Sequence, residues 1–117
     1  MKRSLASFGA LAFALTAVTF AGTTATQAQI SDGVIKIGVL NDQAGPYADI
    51  TGRGSVLAAQ MAAEDMGGSI LGAPIQIIDA DTQNKPDVAS SIAREWIESK
   101  QVDVIADGAA SSTSLAI

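Results

Sequence analysis

The residues with chemistry to offer lie in two short stretches. Gly108-Ala109-Ala110-Ser111-Ser112-Thr113 sets small residues beside hydroxyls at what reads as the start of a helix. The first N–H groups of a helix have no intrahelical acceptor, so such a start favours a carboxylate or phosphate. The hydroxyls of Ser111 and Ser112 can add hydrogen bonds to it; alternatively, one of these residues merely caps the helix. The second stretch is the loop from Asn41 to Thr51, marked by Gly45-Pro46. Its Tyr47 can stack on a ligand or donate its hydroxyl, or it can simply pack against its own turn.

Other constellations fail on inspection. Gly52-Arg53-Gly54 could begin a dinucleotide fingerprint, but the third glycine position holds Leu57. The fingerprint also turns directly off a strand, whereas here the whole 41–51 loop intervenes. Asp79, Asp81 and Asp107 at strand ends, with Asp42 nearby, could suggest a phospho-accepting or magnesium site; solvated strand-end acids account for them more simply. The chain has no cysteine and no histidine. That removes disulfides, thiol catalysis, zinc–thiolate sites and imidazole chemistry together. Ser111 as a hydrolase nucleophile would therefore lack a histidine base within this sequence. The expectation is a binding protein with no catalytic residue, no metal and no cofactor.

Residues 1–28 read as a secretory signal. Met1-Lys2-Arg3 gives a positive start, Ser4 to Gly22 is built from apolar and small residues, and Thr26-Gln27-Ala28 offers small residues before a cut at Gln29. Ser4, Ser7, Thr16, Thr19 and Thr23 dilute the stretch below what a membrane anchor needs, about 20 predominantly apolar residues. With no cysteine, a lipid-attached N-terminus is excluded, and the mature protein is expected to be periplasmic. Of 7 basic and 12 acidic residues, Lys2 and Arg3 leave with the signal, so the remainder carries a net charge of −7. It has no basic patch of the kind nucleic acid requires. Phe8, Phe13 and Phe20 leave too, so Trp96 and Tyr47 are the aromatics that remain.

The elements that must position the two loops alternate regularly. Val34 to Leu40 is a nearly continuous apolar run, the pattern of a strand buried on both faces. A helix is expected from about Gly52, with Val56, Ala59, Ala63 and Met66 on one stripe and Gly67-Gly68 as its stop. Pro74 opens a second strand, Ile75 to Ala80. Pro86 and Asp87 start a second helix whose buried stripe is Val88, Ile92 and Trp96, with Ala89, Ala93 and Ile97 beside it. Val102 to Ala106 is a third strand, Asp107-Gly108 turns the chain, and Ser111-Ser112-Thr113 should cap a third helix.

This βαβαβ order predicts an α/β fold, the beginning of a doubly wound parallel sheet with right-handed crossovers and helices on both faces. With the first strand central, in the order second–first–third, the loops after the first and third strands flank the crevice where such sheets bind ligands. Residues 29–117 are then an incomplete lobe, ending within its third helix at Ile117.

Taken in order, Val34–Asn41, Gly45-Pro46-Tyr47, Gly52–Gly54, Ala62–Gly68, Ile70-Leu71-Gly72, Asp79–Thr82 and Val104–Ser112 resemble the N-terminal lobe of the leucine/isoleucine/valine-binding proteins. These are periplasmic type I solute-binding proteins of branched-chain amino-acid ABC transporters. The resemblance implies a two-lobed clamshell that closes over one amino acid, or a related small carboxylate or amide, and delivers it to an inner-membrane ABC permease. It also implies that the positions at Ala110, Ser111 and Ser112 hold the ligand carboxylate. Amino-acid-binding relatives often carry serine where this sequence has Ala110, which leaves the ligand open. A ligand-sensing domain of a signalling receptor with the same fold is the alternative reading.

Overall fold

The computed structural model describes residues 30–106 and 108–117. The expected signal, residues 1–28, and Asp107 lie outside them. Seven elements follow in order: β1 (Ile35–Asn41), α1 (Gly52–Asp65), β2 (Ser69–Ile70), β3 (Ala73–Asp81), α2 (Pro86–Glu98), β4 (Val104–Ala106) and α3 (Ser111–Ala116). They form one four-stranded sheet in the order β2-β3-β1-β4. β1 is parallel to β3, with Ile35 opposite Ile75 and Asn41 opposite Asp81, and parallel to β4, with Gly38 opposite Ile105. Setting aside the short β2, the main strands stand in the expected second–first–third order with β1 central.

Alternation along the strands sends side chains to two faces, and each face has its helix. Ile37, Ile75 and Ile77 meet Ala59 and Ala63 of α1, and Met66 just past it, around a cavity of about 180 Å³. Leu40, with Ile78, Ala80 and Ile105, meets Ala93 and Trp96 of α2. The α2 face is the tight one: Ala89, Ala93 and Trp96 are all buried. Among the described residues no helix is long and apolar enough to cross a membrane.

Several boundaries differ from the sequence reading. β3 begins at Ala73, so Pro74 lies inside it, paired with Ser69 of the unanticipated antiparallel strand β2. Met66 falls just past α1 as its C-cap and is exposed, and Ile97 is likewise exposed. β1 is fully buried only from Gly38 to Asn41, because its first three residues lie at the open end of the sheet. β4 starts two residues later than expected, since Val102 turns inward against Trp96 and donates its amide to the Trp96 carbonyl at 3.0 Å.

At that end of the sheet Asp103 acts as a clasp. Its carboxylate accepts from the Lys36 amide at 2.9 Å and from the Ser31 amide and hydroxyl at 3.3 and 3.0 Å. These donors hold its carboxyl below the usual aspartate range, the Lys36 amide first among them. The Lys36 ammonium meets Asp32, whose carboxyl it likewise lowers.

Candidate ligand crevice at the carboxyl edge of the sheet

β1, β3 and β4 all point their carboxyl ends to the same edge, so the loops following them share it. The loop after β1 runs from Asp42 to Thr51 and is tied down at both ends. Asn41 donates its side-chain amide to the Gly52 carbonyl at 2.8 Å in a buried bond, closing the loop across its base. Asp42, 4% exposed, accepts the amides of Gly45 at 2.8 Å and Tyr47 at 3.1 Å. The Tyr47 carbonyl then accepts the amides of Ile50 and Thr51, both at 3.0 Å. Tyr47, half-buried, is therefore held by its backbone on both sides.

The strand-end acids are more than solvated charges. Asp81 accepts the Gln43 amide at 3.0 Å and the Gln83 amide at 2.8 Å, so one carboxylate joins the loop after β1 to the loop after β3. Asp79 accepts from the Gln43 side chain at 2.8 Å and lies 3.7 Å from Arg53. Thr82, fully buried, donates its amide to the Asn41 carbonyl at 2.8 Å. Among the described residues no three acidic side chains converge as metal ligands would.

The loop after β4 corrects one expectation. The N-cap of α3 is Ala110, in extended conformation, and the helix has no side-chain cap. Ala110 is buried, whereas Ser111 and Ser112 are exposed at the first two helical positions. The hydroxyls that fasten this turn come from later residues. Thr113, 4% exposed, donates its hydroxyl to the Ala110 carbonyl at 2.8 Å, and Ser114 donates to the Gly108 carbonyl at 2.8 Å. Sequence reading set Asp42 and Asp81 aside as solvated strand-end acids, where they grip loop amides instead, and did not single out Ser114. The available signal was the spacing Asp-x-x-Gly-x-Tyr, a carboxylate followed by a residue with no side chain to obstruct it.

The arrangement can present N–H groups and two exposed hydroxyls to a small anion at one loop, with an aromatic residue on a rigid loop from the neighbouring strand. That is recognition chemistry.

Comparisons with known proteins bear on the family and the fold. A family model described as periplasmic binding protein matches residues 34–117. Comparison with curated proteins gives no match. Among solved structures, a branched-chain amino-acid ABC transporter periplasmic ligand-binding protein from Burkholderia xenovorans LB400 is 51% identical, with a TM-score of 0.67 over 70% of this chain and 22% of its own. A periplasmic binding protein from Burkholderia mallei is 44% identical, with a TM-score of 0.70 over 72% of this chain and 22% of its own. An ABC transporter solute-binding protein from Rhodopseudomonas palustris BisB5, in complex with 3,4-dihydroxybenzoic acid, is 25% identical, with a TM-score of 0.63 over 73% of this chain and 23% of its own. The chain thus spans less than a quarter of the length of these structures, and its described part matches a portion of one lobe. With the family match covering most of its length, the chain belongs to the periplasmic binding protein family.

Proposed function

We propose that this chain forms the N-terminal part of one lobe of a periplasmic receptor for an ABC uptake transporter, exported by cleavage near Ala28. Its ligand is an amino acid or a related small carboxylate or amide, passed on to an inner-membrane permease. One observation carries the reading. At the carboxyl edge of a parallel sheet, α3 opens with two exposed serines and no side-chain cap, and the strand before it neighbours the one that leads into the clamped loop of Tyr47. Ser111 and Ser112 offer hydroxyls, and the amides after Ala110 offer N–H groups, to the ligand carboxylate. Tyr47 supplies a flat face or a hydroxyl to the rest of the molecule. Such a site binds and releases; no bond is made or broken in it. The two ligand classes in the relatives' names, branched-chain amino acids and a dihydroxybenzoic acid, share a carboxylate and differ in what Tyr47 would face.

The test is ligand-dependent melting of a full-length receptor carrying this segment, with leucine, isoleucine and 3,4-dihydroxybenzoate as probes. A ligand present at 100 times its Kd adds about 2.7 kcal/mol of stability, which reads as a rise of a few degrees in Tm. A folded receptor whose melting is unmoved by these and by a wider panel of small carboxylates and amides would overturn the reading.

A further inference from the structure

We infer that Asp42 is a positioning residue for ligand capture: its two carboxylate oxygens, each on a different backbone amide, fix the 42–47 turn and thereby the place of Tyr47. The inference rests on the reading that Tyr47 meets the ligand.

The geometry asks for a carboxylate. Asp42 Oδ1 accepts the Gly45 amide and Oδ2 accepts the Tyr47 amide. Asparagine at this position has one acceptor and one NH₂, so it would set a donor against one of the two amides. The side chain is buried, so water has little access to replace the lost bond. Gly45 fits the same logic. A Cβ there would lie 2.5 and 2.6 Å from the two Asp42 oxygens, so the amide can approach only because residue 45 has no side chain.

The turn so made is anchored outside itself. Gln43, within it, donates its amide to Asp81, and Asn41, just before it, closes onto Gly52. Ala48 donates its amide to the Gly45 carbonyl at 3.1 Å. Once Asp42 holds residues 45 and 47, the path from β1 to α1 has little freedom left. A ligand that contacts Tyr47 then meets a residue already in place, and binding need not spend energy ordering it.

The test uses Asp42→Asn, Tyr47→Ala and the double variant in a full-length receptor, with leucine and 3,4-dihydroxybenzoate as probes. In the ligand-free protein, Asp42→Asn should speed amide exchange across residues 43–51 by about tenfold, while residues 86–98 keep their protection. Affinity should fall about tenfold for Asp42→Asn alone and less than about twofold when Tyr47 is already alanine. Unchanged exchange in the loop overturns the inference. So does an Asp42→Asn loss that adds in full to that of Tyr47→Ala, because Asp42 would then act by another route. If Tyr47→Ala weakens binding and Asp42→Asn does not, the inference fails and the Tyr47 reading stands. If Tyr47→Ala changes nothing, that reading fails and the inference with it. Should Asp42→Asn not fold, Gly45→Ala breaks the same contact from its other side and must reproduce the exchange pattern.

Discussion

The indole of Trp96 lies directly on the backbone of Gly38: a Cβ added to Gly38 would fall 2.2 Å from its Cζ3 and 2.4 Å from its Cε3. Gly38 sits mid-way along the central strand, and Trp96, 2% exposed, is the largest fully buried side chain of the fold. The glycine makes the floor of a pocket whose walls are Leu40, Ala93 and Val102. This contact sets how closely α2 approaches the sheet. Gly38→Ala should therefore force α2 outward and cost about 1–3 kcal/mol, seen in urea denaturation followed by far-UV circular dichroism. Trp96→Leu in the same chain should recover part of the loss, since it removes the ring the methyl strikes. Additive effects of the two substitutions would show that they do not meet.

That relationship marks where the sequence stops being informative. α2 was legible because Val88, Ile92 and Trp96 recur at helical spacing behind Pro86, and the structure buries that side of the helix, chiefly through Ala89, Ala93 and Trp96. The parallel order was legible because apolar runs alternated with helices. Nothing local to Gly38 says that an indole far along the chain will lie on it, and in a strand pattern an isolated glycine signals only some close approach. The site divides in the same way. The exposed serines at the start of α3 were readable from residue type and spacing. The grip of Asp42 on the Tyr47 loop was not, because it depends on burial and on amide directions that a one-dimensional pattern does not carry.

The β2–β3 hairpin went unread for a different reason. Its two loop residues, Leu71 and Gly72, have φ of 52° and 85°, the double left-handed conformation of a type I′ turn, for which Asn-Gly is the usual signal. Leu71 is 99% exposed and makes no packing gain from its side chain. A leucine in this conformation costs about 1–2 kcal/mol. Leu71→Asn should thus raise stability by roughly 0.5–1 kcal/mol, measured as a shift in urea midpoint at unchanged m-value. A loss of stability would mean that the Leu71 side chain is packed rather than free in solution.

Asp103 predicts the acid limb of stability. Its carboxyl is held below the ordinary aspartate value by the Lys36 amide and by Ser31. A depressed folded-state value means that the ionised form favours folding. The stabilisation is fully present above the unfolded-state value of about 3.9 and is lost as pH falls through the lower folded value. The clasp is largely exposed, so the effect is small. Asp103→Asn should lower stability near neutral pH and flatten its fall below pH ~4. Equal pH profiles for the two proteins would remove Asp103 from the acid response.

Ser111 and Ser112 separate binding from folding. Both are exposed at the start of α3, and the cap position belongs to Ala110. Thr113 has the opposite character: it is buried and donates its hydroxyl to the Ala110 carbonyl at 2.8 Å, while the Ser114 hydroxyl, shared between the Gly108 carbonyl at 2.8 Å and that of Ala110 at 3.1 Å, also serves the turn. Ser111→Ala with Ser112→Ala should therefore leave the unfolding free energy within about 0.5 kcal/mol of the parent. If each hydroxyl bonds a ligand carboxylate, the same pair should weaken affinity by about 1.5–3 kcal/mol per hydroxyl. Thr113→Val should do the reverse. Losing its bond to the Ala110 carbonyl costs about 1 kcal/mol of stability, and any affinity change should follow from the loosened turn. Calorimetric titration and urea denaturation on the same samples read both quantities. If the double serine variant binds leucine and 3,4-dihydroxybenzoate as the parent does, the carboxylate is held elsewhere, and this helix start only shapes the crevice wall.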